Sequence, residues 1–132
     1  MEAEEYDSSI DPEWVLTEEA ANWYQDRIQK DNGLAVVAQN EEQIIGYAVA
    51  VSAPAEPYRK TDTLAELETM YLTPENRGQG IGTQLVEKFK NWAQNQDADK
   101  LRVEASAGNQ AAIQFYQNNG FKDYALKLEG DI

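Results

Sequence analysis

Glu68-Thr69-Met70-Tyr71-Leu72-Thr73-Pro74-Glu75-Asn76-Arg77-Gly78-Gln79-Gly80-Ile81-Gly82 carries a strand through a turn and a glycine run straight into a helix. Leu64 to Leu72 reads as the strand. Its alternation fails where Met70, Tyr71 and Leu72 adjoin, as a bulge or burial on both faces would make it fail. Thr73-Pro74-Glu75-Asn76 is the turn. The helix follows because Ile81, Leu85, Phe89 and Trp92, with Val86 beside them, recur every three to four residues. Glycines at 78, 80 and 82 bend the backbone and clear side chains from the first helical turn, so the N–H groups of Gly80, Gly82 and Thr83 can face an anion. A phosphate or pyrophosphate is the natural guest. Neither familiar nucleotide loop fits: the run lacks a Gly-Lys-Ser/Thr ending, and it is not a Gly-x-Gly-x-x-Gly beside the first strand.

Upstream, Leu34 to Ala38 and Ile44 to Ser52 are apolar strands joined by the polar Gln39-Asn40-Glu41-Glu42-Gln43, which predicts an antiparallel hairpin. Ala53-Pro54-Ala55-Glu56-Pro57 and Tyr58-Arg59-Lys60-Thr61-Asp62 make an exposed loop before the third strand. Earlier still, Ala20, Trp23, Tyr24 and Ile28 fall at helical spacing between an acid-capped start at Thr17 and Asn32-Gly33. Residues 1–13, with six carboxylates (Glu2, Glu4, Glu5, Asp7, Asp11 and Glu13), read as a loose lead-in. Downstream, Leu101 to Ala105 is a fourth strand, Asn109 to Asn119 a second amphipathic helix stopped by Gly120, and Phe121 to Leu128 alternates into a last strand. The predicted class is α+β, an α/β sandwich with helices over a mixed sheet, in one domain over residues 1–132.

Composition removes several chemistries. With no cysteine and no histidine, disulfide scaffolds, serine-histidine and cysteine-histidine catalysis and ordinary zinc sites are excluded. A net charge of −13 repels nucleic acid and anionic lipid and draws in cations. The same charge would equally serve solubility or a high-salt cytoplasm. No apolar run is long enough to span a bilayer and the start carries no signal-type segment, so a cytoplasmic protein is expected, without metal, nucleic-acid or membrane partners.

The stretch from Glu68 to Gly82 resembles the acyl-coenzyme A binding motif of the GNAT superfamily of N-acyltransferases, (Gln/Arg)-x-x-Gly-x-(Gly/Ala) after a strand. A second block, Asn109-Gln110-Ala111-Ala112-Ile113-Gln114-Phe115-Tyr116 closing in Gly120-Phe121, is similar to that family's Asn-x-x-Ala-x-x-Phe-Tyr signature. The resemblance covers roughly residues 17 to 128. It implies an acyl-CoA N-acyltransferase fold in which the third and fourth strands run parallel and splay apart, with the pantetheine arm lying in the gap. It further implies acetyl-CoA as co-substrate, held by Met70, Tyr71, Leu72, Arg77, Gly78, Gln79, Gly80, Ile81, Gly82, Thr83, Asn109 and Tyr116. The family's opening strand has no evident counterpart in the acidic lead-in. A sheet edge or helix face left bare by its loss would favour a homodimer.

The implied activity is transfer of an acetyl group to a primary amine, which must arrive deprotonated although an alkyl ammonium has a pKa of about 10.4. Glu68 is the candidate base, directly or through a water. Glu66 shares its side if the strand is regular, and Glu104 is a more distant alternative. The resemblance places Tyr116 beside the thioester sulfur, where it suits a general acid; its ring would also serve as a core aromatic. Asn109 suits an N-cap as well as a pantetheine contact. Trp14, Trp23, Tyr24 and Tyr58 are candidate acceptor contacts, and Arg59 and Lys60 candidate partners of the ribose 3'-phosphate or of an acceptor carboxylate. The acceptor class stays open among a polyamine, an aminoglycoside-like amine, a peptide N-terminus and a lysine side chain. A non-catalytic acyl-CoA sensor of the same fold is the competing reading. Phosphoryl transfer lacks the lysine it would need in the loop.

Overall fold

The computed structural model describes residues 32–132 together with Glu18, Glu19, Asn22, Trp23 and Asp26, and these five are helical, as the pattern from Thr17 onward predicts. The lead-in, Trp14, Tyr24 and the homodimer expectation drawn from a missing first strand fall outside the described residues. From there the order is β1 (Gly33–Asn40), β2 (Gln43–Pro54), β3 (Thr63–Leu72), a short 3-10 turn (Pro74–Asn76), α1 (Ile81–Asn95), β4 (Lys100–Val103) and α2 (Gln110–Asn118). The four strands form one sheet in the order β1-β2-β3-β4. The first three are antiparallel, and β4 pairs parallel to β3, the crossover through α1 supplying the reversal.

The hairpin is pinned at its open end, where Ser52 N–H donates to the Asn32 carbonyl at 2.8 Å and the Asn32 side-chain amide donates to the Ser52 carbonyl at 2.7 Å. One face of the sheet carries the core. Ala48, Ala50, Ala65 and Leu67 meet Leu85, Phe89 and Ala93 of α1, with Leu101 and Val103 of β4 packed against the cluster. Small residues on the strands let the helix approach closely, and the fully buried Phe89 fills the space they leave. Truncating Phe89 to Ala should therefore cost about 3–5 kcal/mol, because the rigid alanine floor cannot collapse into the cavity. Urea unfolding monitored on the tryptophans measures it, and a loss below about 1 kcal/mol would mean that this is not the centre of the core.

β3 is irregular, though earlier along the strand than Met70-Tyr71-Leu72. Val49 pairs with Thr69 and Ala50 with Leu67, so Glu68 is the extra residue of a β-bulge. The bulge shifts the alternation by one: Ala65 and Leu67 face α1, and beyond it Met70 packs on the same cluster. Pairing between β3 and β4 covers only Leu64 to Leu67 against Lys100 to Val103. From Glu68 to Leu72, β3 continues without β4 beside it, and the chain past Val103 leaves the sheet, so β4 ends two residues short of the predicted Ala105. The two strands part at the bulge.

The predicted last strand, Phe121 to Leu128, is corrected. These residues join no ladder among the described strands, and Tyr124, Leu126 and Leu128 are exposed. Phe121 packs against the core, its ring edge-on to Tyr116 at 5.8 Å. Alternation supplies a strand-like face, but a strand also needs an edge to pair with.

Candidate active site

Where β3 and β4 part, an open cleft of about 580 Å³ lies between the end of β3, the glycine loop and α2. The strand contributes Met70, Tyr71 and Leu72, the loop and first turn of α1 contribute Arg77, Gly78, Gly80, Gly82 and Thr83, and the second block contributes Asn109 and Tyr116. Ten of the predicted contacts thus share one wall. Gln79 and Ile81 do not line it; the Gln79 amide instead donates to the Glu75 carbonyl at 3.3 Å. Ala111, Ala112 and Phe115 join the wall without having been singled out, although the helical spacing from Asn109 and Tyr116 places them on the same side.

The loop is held open by its backbone. Gly78 and Gly80 have φ of +77° and +86°, and a Cβ built on either meets nothing within 4 Å, so the space above them is free for a ligand. Gly80 caps α1, and Gln84 N–H donates to its carbonyl at 3.1 Å as the first helical bond. The N–H groups of Ile81, Gly82 and Thr83 precede that bond and have no carbonyl inside the helix to meet. No acidic residue stands in this first turn, so the positive end of the helix dipole is uncompensated. Arg77 is braced by its Nε donating to the Leu72 carbonyl at 2.8 Å, with its guanidinium 5.6 Å from the Tyr71 ring centre.

Gly82 has a different reason. Its Cβ would lie 3.1 Å from the Phe115 ring, so it is the point where α1 touches α2. Gly82→Leu is expected to overpack that contact and destabilise the fold by about 1–3 kcal/mol, besides distorting the cleft. Adding Phe115→Ala should return part of the loss, which thermal melts of the single and double variants would read. An equal loss with and without Phe115 would exclude the contact as the cause.

On α2, the Asn109 side chain accepts from Ala112 N–H at 3.1 Å, which makes it the N-cap, and its residue still borders the cleft. Tyr116 packs edge-on against Phe115 and Phe121, at 5.3 and 5.8 Å, so its ring is also a packing group. Glu68 is half-buried on the bulge at the level where the strands part. Glu66 lies before the bulge, opposite Arg102 of β4. Burial pushes the Glu66 carboxyl above its ordinary value, Arg102 opposes this, and Glu68, Glu104 and Glu56 add to the rise. Glu104 is exposed and pairs with Lys127 at 3.3 Å.

The proline loop is not brought to the glycine cleft. It precedes β3, whereas the glycine run follows it, and ten strand residues at about 3.3 Å each separate the two by roughly 30 Å. Arg59 lies over the Tyr124 ring at 4.4 Å, and Tyr58 is exposed. A 3'-phosphate partner among Arg59 and Lys60 is therefore corrected by distance. Trp23 is half-buried on its helix. Among the described residues, no group of three or more carboxylates is arranged to hold a metal, and no helix is long and apolar enough to cross a membrane.

The model of the Acetyltransferase (GNAT) family matches residues 2–121. The chain belongs to the GNAT family. Its sequence is 31% identical over 88 residues to N-alpha-acetyltransferase 30 of Schizosaccharomyces pombe, covering 67% of this chain and 57% of that protein. It is 35% identical over 57 residues to the thialysine N-epsilon-acetyltransferase of Mus musculus, covering 43% of this chain and 34% of the relative. This GNAT chain thus spans between a third and somewhat over half the length of these curated relatives. Solved GNAT folds superpose closely. AAC(6')-Iy in complex with a bisubstrate analog gives a TM-score of 0.78 at 19% identity, over 88% of this chain and 80% of that one. A predicted acetyltransferase with acetyl-CoA from Clostridium acetobutylicum gives 0.78 at 23%, over 98% and 84%. At these identities the likeness is one of fold.

Proposed function

We propose that this GNAT domain is an acetyl-CoA dependent N-acetyltransferase that transfers an acetyl group to a primary amine, cationic in solution, by direct attack with both substrates bound. The observation that carries the reading is the cleft at the parting strands. Its open glycines and uncapped helix start suit a pyrophosphate, its apolar wall of Met70, Leu72, Ala112 and Phe115 suits a pantetheine arm, and its volume lies in the range of small-molecule sites. Acetyl-CoA, when bound, supplies an acyl group already activated as a thioester.

The chain's own residues then have two proton transfers to perform. Glu68 takes a proton from the incoming ammonium, directly or through a water; after attack the nitrogen sheds a second proton, which balances and restores the one that Tyr116 gives to the departing sulfur. The stretch of β3 from Glu68 to Leu72, beyond the end of its pairing with β4, offers a backbone edge to align the extended arm. The names of the relatives, an N-alpha-, an N-epsilon- and an aminoglycoside acetyltransferase, all describe amine acceptors. The net charge of −13 favours a cationic one.

The test is an amine panel, with neutral and dicationic members, incubated with acetyl-CoA and read by release of free thiol. Release with at least one amine supports the enzyme. Calorimetric binding of coenzyme A without release for any amine would favour the non-catalytic sensor.

A further inference from the structure

Arg102 was invisible to pattern reading, yet it sits at the junction of three elements. Leu101 and Val103 on either side of it pack toward α1, so Arg102 points to the opposite face of the sheet, as does its register partner Glu66, flanked by Ala65 and Leu67. The pair stands one rung before β3 bulges at Glu68 and the strands separate. From the β2–β3 loop, Glu56 reaches the same guanidinium, its Oε1 accepting from Nη2 of Arg102.

Glu56 is not a wandering loop side chain. Ala55 N–H donates to the Asp62 carbonyl at 2.9 Å, Arg59 N–H donates to the Glu56 carbonyl at 2.9 Å, and the N–H groups of Asp62 and Thr63 both donate to Oδ2 of Asp99, at 3.0 and 3.2 Å. The loop is thus fastened to itself and to the start of β4. A carboxylate on a fixed loop thus pairs with a cation that stands across the strand register from a second carboxylate, Glu66.

We propose that Arg102 is a positioning residue: clamped by Glu56 and set across from Glu66, it divides its charge between the two carboxylates and thereby governs the protonation of Glu66, the nearest acid on the strand to Glu68. Its catalytic consequence rests on the acetyltransferase reading, since a charged Glu66 adds negative potential where Glu68 must receive a proton and an ammonium must dock. The groups facing Glu66 are Arg102 from β4, Glu104 just past its end, Glu68 from its own strand and Glu56 from the loop. Burial raises the Glu66 carboxyl and Arg102 counters it, whereas Glu56 is held low by its own backbone hydrogen bond and by Arg102.

The two ends of the ion pair must therefore act on Glu66 with opposite sign. Removing Arg102 deletes the counter-charge, so Glu66 titrates at higher pH. Removing the charge of Glu56 deletes a repulsion and releases Arg102 to Glu66, so Glu66 titrates at lower pH. An ion pair that only tethered the loop would be broken alike from either side.

Carboxyl-carbon NMR of the full chain, without acetyl-CoA, reads the Glu66 midpoint directly in the parent, Arg102→Gln, Arg102→Lys and Glu56→Gln. Expected are an upward move in Arg102→Gln, return toward the parent in Arg102→Lys, and a downward move in Glu56→Gln. Moves in the same direction, or none, would overturn the proposal whatever the activity. Should Arg102→Gln fail to fold, the comparison of Glu56→Gln with Arg102→Lys still decides it, since an unmoved midpoint in Glu56→Gln overturns the sharing of charge. The acid limb of kcat/KM for an acetylated amine should follow the same order. Midpoints that move while that limb stays fixed overturn the catalytic consequence alone, and absence of any turnover strikes the acetyltransferase reading instead.

Discussion

Tyr116→Phe is expected to lower turnover roughly 10- to 1,000-fold while coenzyme A affinity and melting temperature change little. The substitution keeps the ring that packs edge-on against Phe115 and Phe121 and deletes only the hydroxyl. A Tyr116 that served only through its ring packing would leave turnover unchanged when replaced by phenylalanine, and melting temperature and turnover read the two roles separately. A proton delivered to sulfur spares the expulsion of a free thiolate, so the loss should appear in kcat and grow as the leaving thiol is made less acidic. Single-turnover rates with a good amine acceptor measure it under conditions where chemistry limits. Wild-type turnover in Tyr116→Phe would return the residue to packing alone, and the proton donor would have to be a water.

Legibility of this fold from sequence follows the range of the interactions involved. The glycine run into α1 could be read because each part is local: positive φ at Gly78 and Gly80 favours glycine, and the spacing of Ile81, Leu85, Phe89 and Trp92 declares a helical face. Asn109 was legible for the same reason, since an N-cap is decided within three residues. Glu68 was readable as a carboxylate near the site, and the broken alternation after it allowed either a bulge or burial on both faces, but its register depends on β2, where Val49 and Ala50 straddle it. Phe121 to Leu128 misled because alternation is local while a pairing edge is not. Gly82 lines the cleft as its place in the glycine run suggests, but its contact with Phe115, 33 positions further on, had no local signal. The pairing of Arg102 with Glu56, 46 residues apart, had no sequence signal at all.

Glu68→Gln should lower kcat/KM by about 10²-fold or more near neutral pH, with the deficit shrinking as pH climbs toward the amine's own pKa of about 10.4. The sign follows from what the base does. At pH 7 nearly all of a primary alkyl amine carries a proton that must be removed before nitrogen can attack, and glutamine, isosteric but unable to accept that proton, leaves the task to water. As pH rises, solvent supplies the free amine and the missing carboxylate matters less. Glu68 is fixed for this work by its backbone: it occupies the bulge of β3 at the level where β4 departs, so its position is set by the Val49–Thr69 and Ala50–Leu67 pairs on either side and not by a flexible loop. Glutamine keeps the size of the side chain, and the melting temperature should stay close to the parent's. A pH–rate series with one amine of ordinary basicity and one of depressed pKa makes the test sharper, since the second is largely deprotonated already and should lose much less. A deficit equal for both amines and constant with pH would remove Glu68 as the base and leave Glu66, placed before the bulge and under the influence of Arg102, as the carboxylate to examine in its place.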